Sequence, residues 1–372
     1  MTPHRKIPLF DLHAQYLSLK PEIDAAMAAV IRESAYIRGP YVEQFEQEFA
    51  AATGAAACVS CSDGTEAIYI VLKMLGIGAG DEVITTANSW IATTETITQA
   101  GATVVFADVE SDYYDLDPDK VEAAITPRTK AVIAVHLLGQ PADMGRLQEI
   151  CRKHHLHLIE DCAQAHLAEY HGKQIGSFGI ASTFSFYPGK NLGAYGDAGG
   201  IITGDTELAD KFRCYARHGA SPKNKHDHIM EGINSRLDGI QAAVLSVKLP
   251  HLRDWNRRRN EVAAAYGERL KDLPGVTLPA VRPGCAHVFH VYALRLANRD
   301  RVRDALTAAG VSTTIHYPVP LPFLQAYEYR GYTRESLPVI AQHQGEYLSL
   351  PIYPELTDTD LDFISDIVRQ AA

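Results

Sequence analysis

Long apolar runs, basic blocks and dense cysteines are all missing from this sequence of 372 residues. No stretch reaches the roughly 20 apolar residues that a transmembrane helix needs, and no apolar core of a signal peptide follows Met1. The net charge is −10 without a basic segment, which argues against binding to nucleic acid or to an anionic membrane. We therefore expect a cytoplasmic protein with no nucleic-acid or membrane partner.

The six cysteines are scattered along the chain, which does not suggest a disulfide framework. Cys58 and Cys61 are spaced as C-x-x-C, but they fall in a predicted buried strand and no second pair completes a metal site. His154, His155 and His157 span the end of a helix and the start of a strand, so they do not share a face. The sequence therefore predicts no metal site.

Strand and helix patterns alternate between residues 56 and 203, which is typical of a mostly parallel sheet covered by helices. A long helix is predicted from Asp238 to Leu270, with a bend at Pro250. We expect an α/β protein with a large domain over residues 1–250, which includes an N-terminal helical segment. A small C-terminal α/β domain is predicted over residues 251–372.

Ligands bind at the carboxyl ends of strands in such sheets, and four predicted strands end in polar or aromatic residues. These ends are residues 60–65, 86–90, 161–164 and 185–190. Gly64 and Thr65 open a helix directly after a strand, so their N–H groups offer an anion site that the Ser185 hydroxyl could join. A nucleotide is the rival ligand. However, the sequence has no G-x-G-x-x-G after its first strand and no G-x-x-x-x-G-K-[ST].

The next two strand ends carry groups that suit an aromatic cofactor ring. Asp161 ends an apolar strand, and a carboxylate placed there needs a cationic partner such as a pyridinium nitrogen. Gln164 could hydrogen-bond a phenolic oxygen on the same ring, and Trp90 could stack on the face of the ring. Core packing is the alternative for Trp90.

Lys190 follows the turn Pro188-Gly189 and precedes a run of glycines that ends at Gly200. Glycine lets a backbone approach a ligand closely, and partial desolvation would lower the pKa of the lysine amine. A neutral amine can form a Schiff base with a carbonyl group. A solvated turn lysine is the alternative. Taken together, the anion site, the carboxylate, the stacking aromatic and the lysine indicate a site for pyridoxal 5'-phosphate.

Seven segments spread over nearly the whole chain carry a resemblance to a known family. They are Gly39-Pro40-x-Val42-x-x-Phe45-Glu46, Gly64-Thr65-Glu66-Ala67, Gly80-Asp81-Glu82-Val83-Ile84, His136-Leu137-x-Gly139-Gln140-Pro141, Glu160-Asp161-Cys162-Ala163-Gln164-Ala165-His166, Phe184-Ser185-Phe186-Tyr187-Pro188-Gly189-Lys190-Asn191-Leu192 and Asn234-Ser235-Arg236-Leu237-Asp238. On these segments the chain resembles the sugar aminotransferases of the DegT/DnrJ/EryC1/StrS family, within the fold-type I enzymes that use pyridoxal phosphate. This resemblance implies a mostly parallel seven-stranded sheet covered by helices, plus a small α/β domain.

The resemblance also implies roles for the site residues. Lys190 would bind the cofactor as a Schiff base and carry protons, and Asp161 would pair with the pyridinium nitrogen. The remaining cofactor contacts would be Gly64, Thr65 and Ser185 to the phosphate, Gln164 to the ring hydroxyl, and Trp90 to the ring face. Some family members are dehydratases with histidine in place of the lysine, so Lys190 favours transamination.

Members of the family are homodimers with active sites at the subunit interface, so the resemblance implies the same here. Asn234 of the partner subunit would lie near the cofactor phosphate, and Arg236 of the partner subunit would reach the substrate. L-Glutamate would donate the amino group, and a nucleotide-linked keto-deoxysugar would accept it.

Tyr187 and the pair His316-Tyr317, which closes a predicted strand from Val311, resemble segments that line the sugar site in members that aminate the 3-keto position. This favours C3 slightly over C4. Amination at C4, or of a non-nucleotide ketone such as a cyclitol, stays open. The loop Ser221 to Ile229 could meet the diphosphate or nucleoside, or it could be solvated surface.

A regulatory protein that binds pyridoxal phosphate or a sugar nucleotide without turnover is the rival from another functional class. The complete set of Lys190, Asp161 and Gln164 argues against it, because a protein that only binds has no use for a Schiff-base lysine.

Overall fold

The computed structural model describes residues 6–221 and 223–372. Residues 1–5, and Pro222 within the predicted loop Ser221–Ile229, lie outside the described residues. Within the two described ranges, no helix has both the length and the apolar character needed to cross a membrane.

Three helices open the described chain: α1 (Leu12–Ser18), α2 (Lys20–Glu33) and α3 (Pro40–Thr53). Proline stands in the first turn of both α2 and α3, where its missing N–H costs no helical hydrogen bond. α3 ends at Gly54 in the left-handed conformation, and it buries Phe45 and Phe49 in the core. The predicted N-terminal helical segment is confirmed.

Strands and helices then alternate: β1 (Ala57–Cys61), α4 (Gly64–Met74), β2 (Glu82–Thr86), α5 (Ala92–Gln99), β3 (Thr103–Ala107), α6 (Pro118–Ala123), β4 (Thr129–Val135), α7 (Met144–His154), β5 (His157–Asp161), β6 (Glu169–Tyr170), β7 (Lys173–Gln174), β8 (Ala181–Ser185) and β9 (Gly199–Thr203). Seven of these strands form one sheet in the order β1-β9-β8-β5-β4-β2-β3. β9 runs antiparallel to both of its neighbours, and the other neighbouring strands are parallel. The predicted mostly parallel seven-stranded sheet is confirmed.

The middle strands of this sheet are buried on both faces, as parallel strands between helices usually are. Successive side chains of a strand point to opposite faces. In β4, Val132 belongs to the core cluster that contains Leu147 of α7. Its neighbour Ile133 belongs to the cluster that contains Val71 of α4. Helices therefore cover both faces of the large sheet.

The rest of the chain contains α8 (Thr206–Tyr215), α9 (Gly239–Lys248), α10 (Leu252–Leu270), β10 (Val276–Thr277), β11 (Cys285–Ala286), β12 (Tyr292–Leu296), α11 (Arg299–Ala308), α12 (Pro338–His343), β13 (Tyr347–Leu350) and α13 (Asp358–Ala371). A 3-10 turn over Leu249–His251 separates α9 from α10, which confirms the predicted bend at Pro250. β10, β12 and β13 form a small antiparallel sheet, and β11 pairs with β6 beside β7.

The strand predicted from Val311 to Tyr317 is wrong. Among the described residues, this segment makes two isolated bridges, from Val311 to Ile7 and from Thr314 to Ser349. It therefore crosses between two partners instead of running along one. β13 instead lies beside β12 in the small sheet, and sequence reasoning missed it. The division of the chain into domains over residues 1–250 and 251–372 stays a prediction.

Gly199 fixes how closely β9 approaches the start of α4. A Cβ atom at this position would lie 2.1 Å from the carbonyl oxygen of Asp63 and 2.8 Å from the amide nitrogen of Gly64. Both atoms belong to the backbone and cannot move aside easily, so this close approach requires glycine.

We expect Gly199→Ala to lower the free energy of unfolding by about 1–3 kcal/mol, because the added methyl group forces the backbone apart. Gly204→Ala is the matched control, since an added Cβ just beyond β9 meets nothing within 4 Å. Its effect should stay within about 0.5 kcal/mol. Denaturant unfolding of both variants measures the difference, and equal stabilities would contradict the packing argument.

Candidate active site

The structure brings the four predicted strand ends together. β5 lies between β8 and β4 in the large sheet, which sets the end of β5 next to the end of β8. Thr93, in the first turn of the helix that follows β2, donates a hydrogen bond to Asp161 at the end of β5 (2.9 Å). Gly64 at the start of α4 packs against Ser185 at the end of β8. The sheet edge predicted to bind a ligand is therefore a single site.

The predicted anion-binding residues are Gly64, Thr65 and Ser185. α4 begins at Gly64, and the side chain of Asp63 caps it by accepting a hydrogen bond from the amide of Glu66 (2.8 Å). The amides of the first turn carry the positive end of the helix dipole. A Cβ atom on Gly64 would lie only 2.7 Å from the Cβ of Ser185, so glycine lets the serine approach the helix start.

Asp161 is a buried carboxylate, with 5% of its surface exposed. Its Oδ2 accepts a hydrogen bond from the hydroxyl of Thr93, and its Oδ1 accepts one from the amide of Ala163 (3.2 Å). Burial raises the pKa of Asp161, while these two hydrogen bonds and the charge of Lys190 act in the opposite direction. A cationic group in contact with the carboxylate would stabilise its ionised form.

Thr93 is a site residue that sequence reasoning missed. Its hydroxyl also exchanges a hydrogen bond with the hydroxyl of Ser89 (2.8 Å), which fixes its orientation toward Asp161. No local pattern marks Thr93 in the sequence, because its contact with Asp161 joins residues 68 positions apart.

Gln164 and Trp90 meet at Tyr317. The Gln164 amide donates a hydrogen bond to the hydroxyl of Tyr317 (2.9 Å), and its oxygen accepts one from the amide of Leu138 (2.7 Å). The rings of Trp90 and Tyr317 lie 5.8 Å apart. Trp90 is 60% exposed, so the alternative of core packing for this residue is wrong.

Lys190 is not a solvated turn lysine. It is only partly accessible, and burial lowers the pKa of its amine to about 8, while the negative charge of Asp161 acts in the opposite direction. Its own amide donates a hydrogen bond to the carbonyl oxygen of Tyr187 (2.9 Å), which closes the turn that sequence reasoning predicted. The amine can therefore lose its proton near neutral pH and act as a nucleophile.

Three histidines near Lys190 add no positive charge to the site. Burial lowers the pKa of His166 to about 3 and that of His316 to about 4, and it lowers the pKa of His290 strongly. The charge of Lys190 lowers all three further. His316 also holds the hydroxyl of Ser349 by a hydrogen bond (2.9 Å).

His136, Glu160 and Cys162 lie close enough to resemble a metal site, with ligand atoms within 4.8 Å of one another. The carboxylate of Glu160 already contacts His136 Nε2 (3.2 Å) and accepts four further hydrogen bonds, from the amides of Gly176, Phe178 and Gly179 and the hydroxyl of Ser182. The other ring nitrogen, Nδ1, accepts a hydrogen bond from the amide of Ala142 (3.1 Å). The carboxylate of Glu160 and the ring of His136 therefore already have hydrogen-bond partners, which indicates a structural role for this cluster.

The remaining predicted residues lie apart from this group of contacts. Tyr187 is 56% exposed at the edge of the lysine turn. Asn234 is exposed and pairs through its backbone with Arg217. Arg236 lines a small cavity with Arg38 and Arg217. Among the described residues, no hydrogen bond or ion pair joins Asn234 or Arg236 to Lys190 or its contacts.

A model of the DegT/DnrJ/EryC1/StrS aminotransferase family matches residues 18–369. The chain belongs to this family. The resemblance that the sequence segments carried is therefore confirmed, and with it the fold-type I architecture and the aminotransferase activity.

Relatives match the chain over nearly its full length. The dTDP-3-amino-3,4,6-trideoxy-alpha-D-glucose transaminase of Streptomyces venezuelae is 44% identical over 99% of this chain and 96% of its own length. A protein of Geobacillus stearothermophilus named pleiotropic regulatory protein is 44% identical over 98% of both chains. The crystal structure of S. venezuelae DesV in complex with a ketimine intermediate superposes with a TM-score of 0.95, at 44% identity over 98% of both chains.

Pyridoxal 5'-phosphate is the cofactor of this aminotransferase. The groups present fit it. The helix-start amides and the Ser185 hydroxyl suit a phosphate. The buried Asp161 accepts two hydrogen bonds and, within the part of the chain that the structure describes, forms no ion pair, so it suits a protonated ring nitrogen.

The amine of Lys190 should become reactive as the pH rises through about 8. Since the neutral amine is the nucleophile, cofactor uptake by the cofactor-free protein should quicken about fivefold between pH 7 and pH 8, and level off above about pH 9. Stopped-flow absorbance measures this rate. A rate that keeps rising tenfold per pH unit to pH 10 would contradict the lowered pKa.

Proposed function

We propose that this protein transfers the amino group of L-glutamate to the keto group of a nucleotide-linked keto-deoxysugar, with C3 of the sugar favoured over C4. The observation that carries the proposal is a partly buried amine, Lys190, close enough to a buried carboxylate, Asp161, for the charge of each to shift the pKa of the other. An aminotransferase needs this pair, and a protein that only binds sugars does not.

Each residue of the site has a proposed task. Pyridoxal phosphate supplies an electron sink when it is bound. Asp161 keeps a proton on the ring nitrogen, and Thr93 orients that carboxylate. The Lys190 amine moves a proton between the substrate carbon and the cofactor carbon as a general acid and base. The contacts that position the cofactor would be Gly64, Thr65 and Ser185 at the phosphate, Gln164 at the ring hydroxyl and Trp90 at the ring face.

Three observations support an amino acceptor with its keto group at C3. Tyr317 already contacts Gln164 and Trp90, and His316 precedes it, so both lie where a bound sugar would meet the cofactor. Tyr187 is exposed at the edge of the lysine turn and can approach the same sugar. The S. venezuelae relative is named for a 3-amino sugar linked to dTDP. Amination at C4, or of a cyclitol ketone, is the alternative.

We propose that Asn234 and Arg236 serve the site of a second copy of this chain. Both lie apart from the contacts of Lys190 in their own chain, and Asn234 is exposed. Arg236 shares its cavity with Arg38 and Arg217 but with only one acidic residue, Glu46, so this surface suits an anion. Asn234 of the partner subunit would then approach the cofactor phosphate, and Arg236 of the partner subunit would approach the substrate.

Asp161→Asn should still bind pyridoxal phosphate but should lose turnover by on the order of 10²-fold or more, because the amide cannot stabilise a protonated ring nitrogen. Asp205→Asn is the control: Asp205 also follows a strand and caps α8, a position where asparagine caps equally well. Steady-state kinetics with glutamate compare the two variants. Near-normal turnover in Asp161→Asn would show that the carboxylate does not have this task.

A panel of 3-keto and 4-keto deoxysugars linked to dTDP, UDP or GDP, with glutamate as the donor, tests the substrate class. We expect one nucleotide series to be turned over, with the new C–N bond at C3 in the NMR spectrum of the product. A product aminated at C4 would contradict the favoured position of the keto group. Turnover of a cyclitol ketone alone would contradict the prediction that the substrate is linked to a nucleotide. Cofactor binding without any turnover would favour a regulator, as the name of the Geobacillus relative suggests.

A further inference from the structure

Lys248 is a second buried lysine, and it lies outside the cofactor contacts described above. It ends α9 with only 1% of its surface exposed. Its ammonium group donates a hydrogen bond to the carbonyl oxygen of Gly193 (2.7 Å) and lies 4.3 Å from the centre of the Tyr195 ring. Among the described residues, no carboxylate pairs with it, and burial alone lowers its pKa, to about 8. Burying an ammonium group with so few partners is costly.

The acceptor of this hydrogen bond belongs to the segment that carries Lys190. Residues 187–193, called the lysine loop below, form a compact unit. The amide of Ala194 donates a hydrogen bond to the carbonyl oxygen of Phe186 (2.8 Å), which closes the base of the loop. A Cβ atom on Gly193 would lie 2.3 Å from the carbonyl oxygen of Pro188, so the two limbs of the loop touch. A contact to Gly193 therefore fixes the loop as a unit.

α9 contacts the lysine loop at Gly193 and the chain just after the loop at Tyr195. Gln241 accepts a hydrogen bond from the amide of Tyr195 (2.7 Å), next to the loop. Lys248 follows Gln241 by seven residues, which places both side chains on one face of the helix. On the far side, the Asn191 side chain donates to Asn256 and to the carbonyl oxygen of Val288 (3.0 Å each). Lys248 contributes the one ionic donor among these anchors.

We propose that Lys248 is a positioning residue for the reactive amine of Lys190. Its hydrogen bond to Gly193 holds the lysine loop against α9, and the loop in turn holds the amine beside Asp161. This inference rests on the function proposed above for Lys190. It adds a residue 58 positions further along the chain, with no contact to Lys190 itself, that sets where the amine lies.

Lys248→Met keeps the length and the apolar part of the side chain but removes the charge and the donor. We expect the amides of the lysine loop to exchange with deuterium about tenfold faster in the cofactor-free protein, since a hydrogen bond from a charged donor is lost. Ser246→Ala is the matched control. The hydroxyl of Ser246 is buried on the same helix without a hydrogen-bond partner among the described residues, so its loss should leave the exchange unchanged.

The pH dependence of Lys190 reactivity distinguishes positioning from general stability. A looser loop exposes the amine to water, so the midpoint in Lys248→Met should rise from about 8 toward the value of an exposed lysine. The groups that face the amine (Asp161, His166, His290 and His316) are unchanged in the variant. Ser246→Ala should keep the midpoint, and Lys248→Arg, which retains a cationic donor, should restore most of it.

Unchanged exchange in the lysine loop together with an unchanged midpoint in Lys248→Met would overturn the proposal. If that variant does not fold, Lys248→Gln gives the same comparison, because its shorter amide falls short of Gly193. Exchange is measured without cofactor, so its outcome does not depend on the role of Lys190. If the exchange quickens as expected but the cofactor reacts at another lysine, the proposed role of Lys190 is wrong. The conclusion that Lys248 holds the lysine loop is then still supported.

Discussion

The burial of two opposite charges, the carboxylate of Asp161 and the amine of Lys190, is the constraint on which the rest of the site depends. Burial favours the neutral form of each group, and the proximity of the other charge opposes that shift. The balance leaves a carboxylate that can hold a cationic ring and an amine that can lose its proton near neutral pH. Asp161 ends β5, and Lys190 lies in the loop that follows the paired parallel strand β8, so the sheet positions the carboxylate and the loop positions the amine.

The residue before Asp161 shows how the same strand serves the fold. Neighbouring strand residues point to opposite faces, so Glu160 faces away from the site that Asp161 enters. Its carboxylate gathers the amides of Gly176, Phe178 and Gly179 just before β8 begins. Glu160 thus fixes the chain where the neighbouring strand starts, and Asp161, the next residue, faces the proposed cofactor site.

The features of the fold and of the site that depend on local sequence patterns could be predicted from the sequence. Asp161 and Lys190 follow apolar strand patterns, and the ends of such patterns can be recognised in the sequence. The large sheet and the edge of it that carries the candidate site could therefore be predicted. Contacts between distant segments left no such signal: Thr93 reaches Asp161 across 68 positions, and Lys248 reaches Gly193 across 55. The segment after Val311 has a strand-like composition, but it bridges to two different partners and therefore does not join the sheet. A sequence pattern does not show which partners a segment will pair with.

The most direct measurement is to reduce the cofactor-loaded protein with borohydride and to map the modified peptide by mass spectrometry. We predict that the cofactor is fixed on Lys190 in a single peptide, because this partly buried amine near Asp161 has a pKa of about 8. We also predict no label at that peptide in Lys190→Ala. Label on Lys248, the other buried lysine whose pKa is lowered to about 8, would contradict the assignment of Lys190 as the residue that binds the cofactor.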